Sequence, residues 1–289
     1  MIKRVSILGL GLMGGSLGFA IKGRGHVDQV IGYDIDKDTC LKAVERQCVD
    51  VATPSLPDAV EDADLVLVAS PIDTVVPLVE TVSALVKKNT LISDVASTKR
   101  QIVERLAGLK RRDVQFIGGH PMAGSDQCGI AAARRDLFQG ALYFLTPTAD
   151  TDPDALEELD DFIQKLTPRV EHISPELHDE LVALSSHLPY IVASLLVHSF
   201  MNSRDPLPGQ VRHVASSGFR DTSRVAASPA EWGCNISLTN RKPILKQLDR
   251  FLSDAQTLRL LIDKADQPGL AAFFEQVSAF RRQMYAEGV

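Results

Sequence analysis

The sequence is short of the features that assign a protein quickly. Its four cysteines (Cys40, Cys48, Cys128, Cys234) form no CxxC pair and no Cys/His ligand spacing. Neither a disulfide framework nor a metal site is indicated, and reduced, mostly buried thiols in a cytoplasmic protein are expected. No block of Lys or Arg stands out and the net charge is −6, which argues against a nucleic-acid surface. The opening "MIKRVSILGLGLMGGSLGFAI" mimics a signal peptide, but five glycines between Gly9 and Gly18 would weaken any membrane-inserting helix. No later run is expected to approach the roughly 20 apolar residues of a membrane span. With 289 residues there is room for one large or two ordinary domains.

What is present is alternation. "RVSILGL" (4–10), "QVIGYDI" (29–35), "ADLVLVASP" (63–71) and "TLISDVAS" (90–97) read as apolar, β-branched strands with helical stretches between them. "VQFIGGHP", "ALYFLTPT" and "RVEHIS" read as further strands, and Asp152 with Pro153 opens a helix before the last. Such alternation predicts a mostly parallel sheet covered on both faces. From Ser174 and Pro175 onward the pattern is helical, apart from a loop at 202–210, and Pro189 should kink the first long helix because it cannot donate to the carbonyl of Ser185. The fold class is therefore α/β followed by all-α: a Rossmann-type doubly wound sheet over 1–173, then a helical domain over 174–289.

"GLGLMG" places Gly9, Gly11, Leu12, Met13 and Gly14 between a strand and a helix, the setting of a dinucleotide-binding loop. Gly9 permits the turn, Gly11 lets the backbone approach a pyrophosphate, and Gly14 lets helix and strand pack. Asp34 ends the second strand, where a carboxylate binds ribose hydroxyls. Asp36 and Asp38 beside it would repel a 2′-phosphate, so NAD is favoured over NADP. Asp36 and Asp38 can equally be solvated acids at a helix start. Reacting groups belong outside the carboxyl ends of the strands. Three segments lie there: Ser70–Pro71, "DVAST" (94–98) and "GGHPMAGSD" (118–126), and this location makes His120 a candidate catalytic group.

"GLGLMGGSLG", "DVASTK", "GGHPMAG", "SHLPY" and "SGFRDTSR", in this order and spacing, resemble the prephenate/arogenate dehydrogenases of tyrosine biosynthesis over nearly the whole chain. The resemblance implies an NAD-dependent oxidative decarboxylation, with prephenate giving 4-hydroxyphenylpyruvate or arogenate giving tyrosine, and a homodimer joined through the helical half. No mutase or regulatory domain is expected. By resemblance His120 takes the proton of the substrate's C4 hydroxyl, with activity rising through a His pKa near ~6.5 if unperturbed. Ser97 holds that hydroxyl or the His, or caps the next helix. Arg224 grips the ring carboxylate, and Arg220 is a second cation or a solvated one. Ser125 and Asp126 reach the side-chain end of the substrate, or Asp126 is an exposed loop acid. His187 satisfies the broken helix or contacts substrate, and Tyr190 stands where relatives often have a His. That departure leaves prephenate, arogenate and tyrosine inhibition open. Trp232 and Arg241 receive no role.

Hydroxyisobutyrate-type dehydrogenases and pyrroline-carboxylate reductases share the glycine-rich opening, but the former would want a Lys on the first long helix, and 176–200 has none. A non-catalytic NAD-binding sensor would have no use for His120, Ser97 and Arg224 together.

Overall fold

A computed structural model of the chain describes residues 1–109, 111–125, 127–202, 213 and 215–286. It divides into two compact units, Met1–Arg241 and Lys242–Val289. The first holds every candidate site residue. Its strands are β1 (Arg4–Leu8), β2 (Gln29–Tyr33), β3 (Val51–Thr53), β4 (Leu65–Val68), β5 (Leu91–Asp94), β6 (Gln115–Pro121), β7 (Leu142–Thr146) and β8 (Arg169–His172). They form one sheet in the order β3-β2-β1-β4-β5-β6-β7-β8, parallel throughout except between β6 and β7. The short β3 was not anticipated: Val51 is exposed and the strand has only three residues, too few to carry a pattern.

The strands read as continuous apolar runs because both faces are covered. Along β4, Leu65 and Leu67 join one core with Val5, Ile7 and Leu17, while Val66 and Val68 join the other with Ile92, Val75 and Val79. Each such side chain contributes about 1.5–3 kcal/mol by leaving water. Helices α1 (Leu12–Arg24), α2 (Lys37–Glu45), α3 (Leu56–Val60), α4 (Ile72–Leu85), α5 (Arg100–Leu106) and α6 (Pro153–Gln164) connect the strands. Asp152 caps α6 as expected, accepting from the Asp154 and Ala155 N–H groups. The thiols only half follow expectation: Cys40 and Cys48 are buried, but Cys128 and Cys234 are exposed.

After the sheet come α7 (Pro175–Val182), α8 (Leu188–Met201), α9 (Ser217–Ser223) and α10 (Ala230–Thr239). Ser174 caps α7 through the Leu177 N–H. The discontinuity expected at Pro189 lies one turn earlier, where Ala183–His187 form a π turn between α7 and α8. Pro189 sits in the first turn of α8, where its missing N–H costs little, and the Leu188 N–H before it bonds back to the Ala183 carbonyl across the widened turn. The helical stretch Pro175–Met201 is 27 residues long and contains an 18-residue window of mean hydropathy 1.6, long and apolar enough to cross a membrane by length and composition alone. This corrects the expectation that no such run follows the N-terminus. The same stretch carries His178, Asp179 and His187, all buried polar groups. Most of the loop read at 202–210 lies outside the described residues. The second unit contains most of α11 (Arg241–Asp263) and all of α12 (Gln267–Met284).

Candidate active site

The glycine loop joins β1 to α1. Gly9 has φ +95°, and a Cβ there would lie 2.7 Å from the Ala69 carbonyl oxygen of the neighbouring strand end. A Cβ on Gly14 would lie 1.8 Å from the Gly9 carbonyl oxygen, so only glycine lets α1 start where it does. A Cβ on Gly11 meets nothing within 4 Å. Its constraint is not packing, and the space beside it is open to a ligand. Leu12 is buried and Met13 packs against the core beneath the loop. The first turn of α1 carries no acidic residue, leaving its N–H groups and partial positive charge available to an anion. Asp34 accepts from the Leu10 N–H (2.9 Å) and the Asp36 N–H (3.0 Å), tying the end of β2 to the loop. Asp36 caps α2 through the Asp38 and Thr39 N–H groups. Pro71 caps α4, and the Ser70 hydroxyl accepts from Thr74 Oγ1 at 2.9 Å.

Next along the sheet edge, a buried cluster surrounds His120. The β5–β6 ladder stops at Ser93 opposite Ile117. Beyond it two side chains take over the pairing of Gly119: Asp94 Oδ1 accepts its N–H (3.1 Å) and Lys99 Nζ donates to its carbonyl (2.7 Å). Lys99 and Asp94 form an ion pair that is fully buried on both sides. His120, the next residue, is 8% exposed, and its Nδ1 lies 2.8 Å from His178 Nε2. His178 Nδ1 lies 2.8 Å from Asp179 Oδ1. Asp179 also accepts from the Lys99 and Arg100 N–H groups at 2.8 and 3.1 Å, so α7 supplies the cap of α5. That displaces Ser97 from the capping role. Its hydroxyl instead accepts from Trp232 Nε1 at 3.4 Å, and no hydrogen bond joins it to His120.

Burial pushes the His120 imidazole well below its ordinary pKa, and the neighbouring His178, Lys99 and His187 add to the shift. His120 is thus neutral far below pH 6.5, a correction to the unperturbed value expected from the sequence. Burial also lowers His178, against the opposing pull of Asp179. His187 is fully buried at the π turn and is pushed down to about 4 by burial. Its Nδ1 pairs with Asn240 Nδ2 at 3.1 Å, not with the helix backbone it was expected to satisfy. His187 Nε2 has no partner among the described residues.

The comparisons with known proteins converge. Residues 17–172 match the nucleotide-binding domain of prephenate dehydrogenase and 174–276 match its dimerization domain. The chain belongs to the prephenate dehydrogenase family. A Bacillus subtilis prephenate dehydrogenase is 36% identical over 283 residues, covering 97% of this chain and 76% of that protein. A Zymomonas mobilis cyclohexadienyl dehydrogenase is 30% identical, covering 96% and 94%. The crystal structure of A. aeolicus prephenate dehydrogenase with hydroxyphenyl propionate and NAD+ superposes with a TM-score of 0.91 at 29% identity, covering 98% of this chain and 99% of that one. Synechocystis arogenate dehydrogenase gives 0.82 at 35% identity, covering 97% and 99%.

Within this family member the sequence candidates fall into two groups. Gly9, Gly11, Asp34, Ser70, Pro71, Ser97 and His120 lie at the carboxyl ends of the parallel strands or in the loops that leave them, and Gly14 lies in the first turn of α1. Tyr190 lies in the first turn of α8, its ring edge-on to Trp232 at 5.0 Å and its hydroxyl against Gly233. Arg224 follows α9, opens a single 3₁₀ turn, is exposed and makes no ion pair among the described residues. Arg220 is a solvated cation whose side chain is 75% exposed and paired with Asp221. Ser125 accepts from the Gln127 N–H in the loop after β6, and Asp126 lies outside the described residues. Sequence reasoning passed over His178, Asp179, Asn240 and Trp232. Apart from the adjacent His178–Asp179 pair, the hydrogen-bond partners that define them lie between 53 and 135 residues away, so no local pattern marks them.

Proposed function

We propose that the protein catalyses the NAD-dependent oxidative decarboxylation of prephenate to 4-hydroxyphenylpyruvate, of arogenate to tyrosine, or of both. The observation that carries this reading is a buried, neutral imidazole at the end of β6, on the same sheet edge as an open glycine loop. The loop fits the dinucleotide: glycine stands where a Cβ would collide, the space beside Gly11 is free, and no acid opposes phosphate at the start of α1. Bound there, NAD would supply the hydride acceptor.

His120 takes the C4 hydroxyl proton as hydride leaves C4, and loss of CO₂ from C1 leaves its bonding pair in the ring, which becomes aromatic. Because aromatisation makes the reaction downhill, the protein's work is alignment and charge control. Ser97, held by Trp232, orients the hydroxyl. Arg224 is free to grip a carboxylate with its planar fork. Solvated Arg220 fits a weaker, steering role. Ser125, in the loop after β6, reaches the side-chain end of the substrate, and Tyr190 with His187 lines it. The division of labour falls near residue 173, with cofactor binding before it and substrate binding and dimerisation after it. Exposed Leu177, Leu181, Leu184, Leu195 and Leu196 on α7–α8, and Phe274, Val277 and Phe280 on α12, are the apolar faces that a second copy covers.

The test mixes the protein with NAD+ and either prephenate or arogenate, follows the absorbance of reduced nicotinamide, and repeats the assay with NADP+ and with added tyrosine. Turnover of at least one substrate, faster with NAD+, is expected. A protein that binds NAD+ but oxidises neither substrate sinks the reading.

A further inference from the structure

We propose that His178 and Asp179 form a positioning relay for His120: they fix which of its ring nitrogens is bare, and they carry its charge one imidazole away from the substrate. The inference rests on the role given to His120 above. The reasoning starts at the carboxylate. Asp179 already accepts two backbone N–H groups at the start of α5 and can only accept, so His178 Nδ1 must carry the proton between them. A charged His178 would place an imidazolium in a fully buried site beside Lys99, so the resting ring is neutral and its Nε2 is a lone pair. His120 Nδ1, 2.8 Å away, must then be the donor. His120 Nε2 is left bare, which is the state a general base needs.

Phe144 stands edge-on to the His178 ring at 5.6 Å and limits its rotation, so the chain of donors is held in one order. When His120 Nε2 takes the hydroxyl proton, the Nδ1 proton can pass to His178 Nε2. The substrate O–H and the His120 Nδ1–H bonds break, and N–H bonds form at the Nε2 atoms of His120 and His178. The positive charge then rests on His178 against Asp179, and the reverse path returns the proton to the product oxygen. The titratable and charged groups facing the pair are Lys99 and Asp94 from the β5–α5 connection, Asp179 from α7 and His187 from the π turn.

The test uses the full chain labelled with ¹⁵N-histidine and reads ring tautomers by long-range ¹H–¹⁵N NMR, with no substrate required. His120 and His178 are both expected as Nδ1–H tautomers. In Asp179→Asn the carboxamide can donate to His178 Nδ1, so the His120 tautomer should switch or become mixed. There kcat should fall about 100-fold while the Kd for NAD+ stays unchanged, by the logic of a carboxylate that sets an imidazole tautomer. His178→Gln can still accept from His120 Nδ1–H but cannot take a proton. It should keep the tautomer, lose about tenfold in kcat, and move the acid limb of the pH profile downward. Wild-type His120 protonated on Nε2, or an Asp179→Asn variant with unchanged tautomer and kcat, would overturn the relay. The expected tautomers in a protein that oxidises neither substrate would support the relay's hydrogen bonds and overturn only the functional reading.

Discussion

At the glycine loop the groups offered to a ligand are backbone N–H groups, while at His120 the polar groups are side chains already bonded to one another. The loop is contiguous in sequence and stays open because glycine leaves it open. The imidazole cluster draws on β5, β6, α7, the π turn and α10, and it is closed: His178, Lys99 and Asp179 have almost no exposure. A loop of the first kind binds whatever fits its shape and dipole. A cluster of the second kind pays for burial with lowered imidazole pKa values and gains a base that stays neutral. The contrast implies that changes in one region should separate binding from chemistry, and changes in the other should separate space from stability.

The largest effect is expected where the two regions are most cleanly divided. His120→Asn should lower kcat by about 10²–10⁴ while the Kd for NAD+ changes by less than about twofold. Wild-type kcat should stay level as pH falls through 6.5 and drop only well below it, because burial holds His120 neutral there. Stopped-flow single turnovers across pH 4.5–8 check both statements. A kcat that halves near pH 6.5 would place the working base elsewhere.

Within the loop, glycines that look alike should part ways. Gly14→Ala puts a methyl 1.8 Å from a backbone oxygen and should cost about 3 kcal/mol or more of stability. Gly11→Ala meets nothing and has an ordinary extended backbone, so stability should hold while the Kd for NAD+ rises about tenfold. Urea unfolding and NAD+ titration of the two variants decide the matter. Equal effects from both would mean that the open space beside Gly11 is not where the dinucleotide lies.

This difference also explains what could be read in the sequence. The loop, Asp34 and every strand but the short β3 follow from periodicity and from residues within 25 positions of one another, and the His120 position follows from the sheet rule once the strands are assigned. Asp94 and Lys99 stood in plain view, but nothing local says that they replace two missing ladder bonds at Gly119. His178 beside Asp179 at the start of a helix looks like any polar pair in a first turn. Only the fold reveals that Asp179 caps a helix 79 residues earlier. The alternative reading of Ser97 as a cap fails for the same reason, since the cap comes from another element. Tyr190 keeps its place in the motif, but its environment is made by Trp232 and Gly233, which periodicity treats as ordinary helix.

The closed region should also show in stability. His187 titrates at about 4 in the folded protein against 6.5 when solvated. Between those values the unfolded chain binds a proton that the folded chain refuses, so stability falls as pH drops from 6.5 toward 4, by about 3 kcal/mol for this residue. His120 and His178 act with the same sign, so the comparison must be made against a variant. His187→Gln cannot titrate and can still bond Asn240, and it should remove about that much of the acid-side loss. Urea midpoints of both proteins at pH 7 and pH 4 give the difference, and parallel declines would show that His187 is already charged in the fold.

The smallest effect of all belongs to one of the two arginines, and the pair bears on whether the helical half contributes charge to the substrate. Arg224 is exposed without an ion-pair partner among the described residues, whereas Arg220 is paired with Asp221 and largely in water. A cation that grips a substrate carboxylate equally in ground and transition states sets KM and leaves kcat nearly alone. Arg224→Ala should therefore raise KM about 10–30-fold, worth roughly 1.4–2 kcal/mol, with unfolding unchanged, and Arg224→Lys should recover only part of it because an ammonium lacks the planar fork. Arg220→Ala should change KM by less than about twofold, an amount that disappears at high salt, as expected of a screened surface charge. Steady-state kinetics at low and high ionic strength measure all three variants, and a larger KM effect at Arg220 than at Arg224 would reverse the assignment of the two.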